Sequence, residues 1–129
     1  CADPFCRRTY PWGHEDAQML ARYQAMTAMR NAHPVLRTGE CVYLAPCADV
    51  LGVIRKNESG RDAFGSQAEN ACAVTLINRS AKEVVVYLTA EDVGGAKTLV
   101  TDDGQTLSAR GGAFSVKVKG LQGMTGFAE

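Results

Sequence analysis

Two spacings of apolar residues divide the chain. From about residue 14 to residue 32, Met19, Leu20, Tyr23, Met26 and Met29 recur three and four apart, which stacks them on one face of an α-helix. Ala, Met, Leu, Gln and Arg dominate this stretch, Glu15 and Asp16 are expected in its first turn, and Pro34 is expected to stop it. After Gly39 the pattern changes to strand-like runs at 41–45, 50–55, 71–78, 83–89, 97–101, 105–108, 113–119 and 122–127, separated by turn residues. Eight short strands predict a mainly β fold, an antiparallel Greek-key β-sandwich from about Glu40 to Glu129. Asp103-Gly104 is a hairpin signal, because glycine tolerates the positive φ of tight turns, and 57–70 reads as a long polar loop. The leading residues 1–13 carry Pro4, Pro11 and Gly13 among Phe5, Tyr10 and Trp12, a composition that suits a loop pinned by aromatic rings.

The order of these elements is informative. A sandwich buries its two sheets against each other and has no need of a leading amphipathic helix, so the helix reads as the end of another fold. Its methionine face must be covered by something. At 129 residues the chain can bury one ordinary core but cannot contain a complete eight-stranded barrel, which needs about 200 residues or more.

Charge and chemistry narrow the function. Lys+Arg and Asp+Glu both number 14, which leaves no excess positive field for a nucleic-acid partner. The apolar runs 71–77 and 84–88 fall far short of the roughly 18 residues that a membrane span requires. Cysteines at 1, 6, 41, 47 and 72 and histidines at 14 and 33 complete no zinc pattern, so reduced thiols in a cytosolic protein are expected, with no metal and no cofactor. A start at Cys1 without Met suggests a trimmed chain and leaves secretion open. A nucleophilic Cys6 or Cys41 served by His14 or His33 is set aside, because the histidines read as helix-entry and helix-stop residues. Asp49, Asp62, Asp92, Asp102 and Asp103 lack the alternating spacing of a calcium loop and read as turn acids.

One stretch is specific enough to compare with a known family. Asp3-Pro4-Phe5-Cys6-Arg7-Arg8-Thr9-Tyr10-Pro11-Trp12 resembles the Asp-Pro-x-x-Arg-Arg-x-x-Pro-Trp segment after the last barrel strand in neopullulanase-like and cyclomaltodextrinase-like members of the alpha-amylase family. The resemblance continues in Arg30-Asn31-Ala32-His33-Pro34-Val35-Leu36-Arg37-Thr38-Gly39, which is similar to the close of that family's final barrel helix. It implies that residues 1–38 are the end of a catalytic (β/α)8 barrel and 39–129 a C-terminal β-sandwich domain. It also implies a parent enzyme that hydrolyses α-1,4 bonds of starch-like glucans, with α-1,6 bonds as a further option. The Asp nucleophile, Glu acid and second Asp of such retaining enzymes lie upstream, so no catalytic residue is expected in this chain and none of the parent's hydrolysis. By the same resemblance Asp3 and Arg7 would bind a glucose unit in the intact parent, where carboxylate and guanidinium can clamp sugar hydroxyls from two sides.

Three roles follow. The first is a cap on the parent's catalytic barrel, its intramolecular partner. The second is a carbohydrate-binding module, weakened by an aromatic content of 7%, by Trp12 lying off the sandwich, and by Tyr43 and Tyr87 falling within strands where burial or half-burial is the default. The third is a homodimer closed through the methionine stripe; in the isolated chain that stripe should fold back on the sandwich or meet a second copy.

Overall fold

The computed structural model describes residues 9–129. Asp16 sets where the helix begins: its carboxylate accepts N–H bonds from Gln18 at 3.0 Å and Met19 at 2.9 Å, satisfying two of the amides a helix start leaves unpaired. Helix α1 (Ala17–Ala32) therefore starts after both acids, which do not fall in its first turn as expected. Glu15 instead takes the N–H groups of Gly13 and of its own backbone, which hold its carboxyl below the usual range. The helix stops at His33, since Pro34 has no N–H to extend the ladder. Pro34 does not end helical structure altogether. Its φ of −53° already suits a helix, and it leads into a second short helix, α2 (Val35–Thr38), that the periodicity did not reveal.

The strands lie within two residues of their expected positions: β1 (Glu40–Cys47), β2 (Val50–Asn57), β3 (Ala71–Asn78), β4 (Val84–Thr89), β5 (Thr98–Thr101), β6 (Thr106–Ser108), β7 (Ala113–Val118) and β8 (Gly123–Ala128). All pairings are antiparallel. Six strands form one sheet in the order β1-β2-β3-β8-β5-β6, and β4 pairs with β7 in a second. The chain leaves the large sheet after β3 for β4, returns to it as β5 and β6, crosses again to β7 beside β4, and comes back to lay β8 between β3 and β5, a Greek-key arrangement. Asp103-Gly104 makes its turn as expected, with Gly104 at φ +82° and its N–H on the Thr101 carbonyl at 2.8 Å.

Strand alternation decides the core. Val74 and Leu76 of β3, Val86 and Leu88 of β4, Leu99 of β5 and Phe114 and Val116 of β7 interleave between the sheets, fully or almost fully buried. Their neighbours Ile77, Val85 and Tyr87 point the other way and are exposed. The core therefore closes without the helix, and the outer sheet faces keep large apolar residues.

Candidate docking surface

The segment from Arg30 to Gly39 is a joint between helix and sandwich. His33 stacks on Phe127 of β8 with ring centroids 3.7 Å apart and planes inclined by 17°. Val35 and Leu36 of α2 are buried against Ala73 of β3, with Met29 and Phe127 packed beside them. Arg30 Nη1 donates to the Leu36 carbonyl, and Arg55 Nη1 of β2 donates to the Gly39 carbonyl at 3.0 Å. A side chain at Gly39 would place its Cβ 2.5 Å from the Val35 carbonyl oxygen, so only glycine closes this corner. The second motif singled out in the sequence thus has a mechanical content: its residues fasten the helix to the β-domain.

Beyond that joint α1 buries nothing. Met19, Leu20, Tyr23 and Met26 are exposed, and only Met29 of the expected stripe reaches the sandwich. Between α1 and the outer face of the large sheet runs a groove of ≈ 790 Å³, lined by Met26, Met29 and His33 on one side and Ile77, Phe127 and Leu121 on the other. The sheet beside it is apolar: Leu51 of β2 pairs with Ile77 of β3, each 46% exposed, and Val53 and Val100 lie half-buried nearby. The groove floor is polar, with the Thr75 and Thr125 hydroxyls 3.0 Å apart and Asp102 accepting the Thr125 N–H at 3.1 Å. At the rim, Leu121 holds φ +55° while its side chain is 73% exposed. A left-handed backbone is costly for a residue with a branched side chain, and here no burial offsets the strain.

The sequence candidates fall as follows. Asp3 and Arg7, with Cys1 and Cys6, lie outside the described residues. Cys41, Cys47 and Cys72 are free thiols, and burial pushes the Cys72 thiol up to about 11, a nearby Lys56 opposing it in part. Asp62 accepts the N–H groups of Phe64 and Ser66 in the 57–70 loop, Asp92 accepts from Thr89, and Asp49 pairs with Arg79 at 3.7 Å. These are turn roles, and among the described residues no three His, Cys, Asp or Glu side chains gather as a metal site would need. No helix among the described residues is long and apolar enough to cross a membrane. The expected burial of Tyr43 and Tyr87 is overturned: they are 70% and 73% exposed, because each points away from the core on an outer sheet face that nothing covers. Sequence alternation alone could have flagged them, since both sit out of phase with the buried positions of their strands.

No protein-family model matches the chain. An amylopullulanase of Thermoanaerobacterium saccharolyticum is 29% identical over 126 residues, 95% of this chain and 10% of that protein. Among solved structures, an Anoxybacillus alpha-amylase superposes with a TM-score of 0.77 at 19% identity, covering 98% of this chain and 25% of that one. A variant of AmyP in complex with maltotriose gives 0.71, also at 19% identity, over 90% of this chain and 22% of that one. The chain is homologous to amylopullulanase and has a fold found in alpha-amylase family enzymes, and it spans about a tenth of the curated relative's length.

Proposed function

We propose that this chain is the C-terminal part of an alpha-amylase-type hydrolase of starch-like glucans, and that its β-sandwich stabilises the catalytic body without taking part in bond cleavage. Residues 1–38 are then the end of the catalytic barrel, with Asp3 and Arg7 as sugar-contacting residues in the intact enzyme, and 39–129 form the accessory domain. The observation that carries this reading is a helix of 16 residues with no buried side chain. Propensity alone holds a helix of about that length only marginally in water, so α1 is expected to rest on a body outside this chain. Homology covering a small fraction of a longer hydrolase supports the same reading.

Deleting residues 40–129 from the parent enzyme tests it. The expected result is a fall in inactivation temperature of about 10 °C or more, while the surviving enzyme keeps its cleavage products. Unchanged stability would defeat the reading.

A second reading, a glucan-binding module, gains from the exposed rings of Tyr43 and Tyr87. It is weakened by their placement on outer faces of different sheets, where they cannot form one platform. Saturable quenching of tyrosine and Trp12 fluorescence by maltoheptaose at sub-millimolar concentration would favour it.

A further inference from the structure

We infer that a second cleft, between the close of β2 and the turn after a short 3-10 helix (Glu91–Val93), binds a neutral polyhydroxylated molecule such as a short sugar, with Asn57 as its hydrogen-bond acceptor. The cleft shares Glu129 with the groove beside α1 and no other residue, and neither Tyr43 nor Tyr87 lines it. It does not depend on the capping role.

The cleft holds ≈ 500 Å³, within the range of roughly 300–1,000 Å³ that small-molecule sites occupy. Asn57 lines it and is only 5% exposed, yet its Oδ1 finds no hydrogen-bond partner among the described residues. The other amide at this end shows the contrast: Asn70 Oδ1 accepts the Gly60 N–H at 2.8 Å. An acceptor taken out of water and left unpaired costs free energy in the folded chain. A donor brought by a bound molecule would remove that cost.

The lining decides which donor. Lys56 and Glu58 pair at 2.9 Å, and Lys97 and Glu129 add one charge of each sign, so the cleft offers no net field to an ion. Burial pushes the Cys72 thiol beside them up to about 11, so it adds no charge at neutral pH. A fully ionised anion brings no donor to Oδ1 and would face two carboxylates. A metal ion would face two lysines, and among the described residues no three His, Cys, Asp or Glu side chains gather to hold one. A neutral hydroxyl remains. The other walls suit a sugar ring: Gly94 and Gly95 present backbone without side chains, and Val93, Ala96 and Ala128 offer aliphatic surface to ring C–H groups.

Titrating the isotope-labelled chain with maltose and, separately, with glycerol, while following amide chemical shifts, tests the assignment. Maltose is expected to shift the amides of Asn57, Gly94 and Gly95 and to saturate at on the order of 1–10 mM, as a few hydrogen bonds allow. Asn57→Leu keeps the bulk of the side chain and removes the acceptor. It is expected to weaken maltose at least about tenfold, while the melting temperature of the free chain holds or rises because no Oδ1 hydrogen bond is lost. Ala96→Phe, which fills the cleft, should abolish the shifts; if that variant fails to fold, Asn57→Leu decides alone.

Saturation by glycerol at the same concentrations would assign the cleft to small polyols, and saturation by maltose alone to sugar rings; either supports the inference. Absence of shifts with both, which leaves the cleft to solvent, would overturn it. Shifts confined to the surroundings of Tyr43 or Tyr87 would overturn it too and favour the glucan-binding module instead. A melting temperature lowered by several degrees in Asn57→Leu would give the amide a structural role and sink the proposal, as would maltose binding that survives both substitutions. Deletion of residues 40–129 from the parent tests the capping role separately, so the two readings fail independently.

Discussion

Asn78, at the end of β3, is 1% exposed and uses its whole amide. Nδ2 donates to the Lys82 carbonyl at 2.8 Å and the Val118 carbonyl at 3.0 Å, while Oδ1 accepts from the Ser80 N–H at 2.9 Å and its hydroxyl at 2.8 Å. One side chain therefore ties the large sheet to β7 and to the turn leading into β4. Asn78→Ala leaves buried carbonyls without donors and is expected to cost about 3 kcal/mol, or on the order of 10 °C in thermal melting. Asn78→Asp should cost more, since it turns a carboxylate oxygen toward two carbonyls; a melting curve of equal or higher midpoint would contradict this account. Cys72 gives a second residue-scale test. Burial raises its thiol from 9.0 to about 11, so an unfolded chain releases the proton first and stability falls as pH climbs from 9.0 toward 11. The fall is expected to be on the order of 2 kcal/mol. Cys72→Ala should be less stable at pH 8 by about 1 kcal/mol, and the gap should close or reverse at pH 11. Urea titrations of both proteins at the two pH values measure it.

At the scale of elements, α1 and the sheets stand apart. Strands β3 and β8 lie inside the large sheet, paired on both sides, and their inner residues are shielded by the second sheet. Helix α1 has its N-cap and its ladder, and little else until Met29. Amide hydrogen exchange in the isolated chain should follow this division: amides of the first three turns of α1 exchange orders of magnitude faster than those of β3. Asp16→Ala removes the cap and should lower helical content by circular dichroism, while shifting the sandwich's melting midpoint by less than about 2 °C. A large shift would mean that α1 shares the core's cooperativity, and the helix would then need no outside body.

For the whole molecule, the expected outcome of removing residues 40–129 is a change in stability rather than in chemistry. The helix and the outer face of the large sheet expose Met19, Tyr23, Met26, Leu51 and Ile77, and covering apolar surface of this kind contributes roughly 25 cal/mol per Å². Cleavage geometry in retaining enzymes depends on two carboxyl groups held about 5 Å apart across the scissile bond, and the capping role assigns those groups to the parent's barrel rather than to this chain.

The helix, the eight strands, the Asp103-Gly104 turn and the likeness to starch-degrading enzymes were all legible in the order of residues. The elements and the turn depend on spacings of two to four positions or on turn chemistry confined to a few neighbours, and the likeness rests on the resemblance of two short motifs, Asp3–Trp12 and Arg30–Gly39. The same was true of the joint only in part: Gly39 and His33 stood out as a motif, but that His33 meets Phe127 and that Gly39 crowds Val35 required folding. The second helix escaped because four residues carry no period. Which strands leave the large sheet, why Tyr43 and Tyr87 stay outside, and how Leu121, Ile77 and the methionine face come to share one groove were decided by the tertiary structure alone. These are matters of pairing between segments far apart in the chain, and alternation says which residues share a face but not what lies opposite that face.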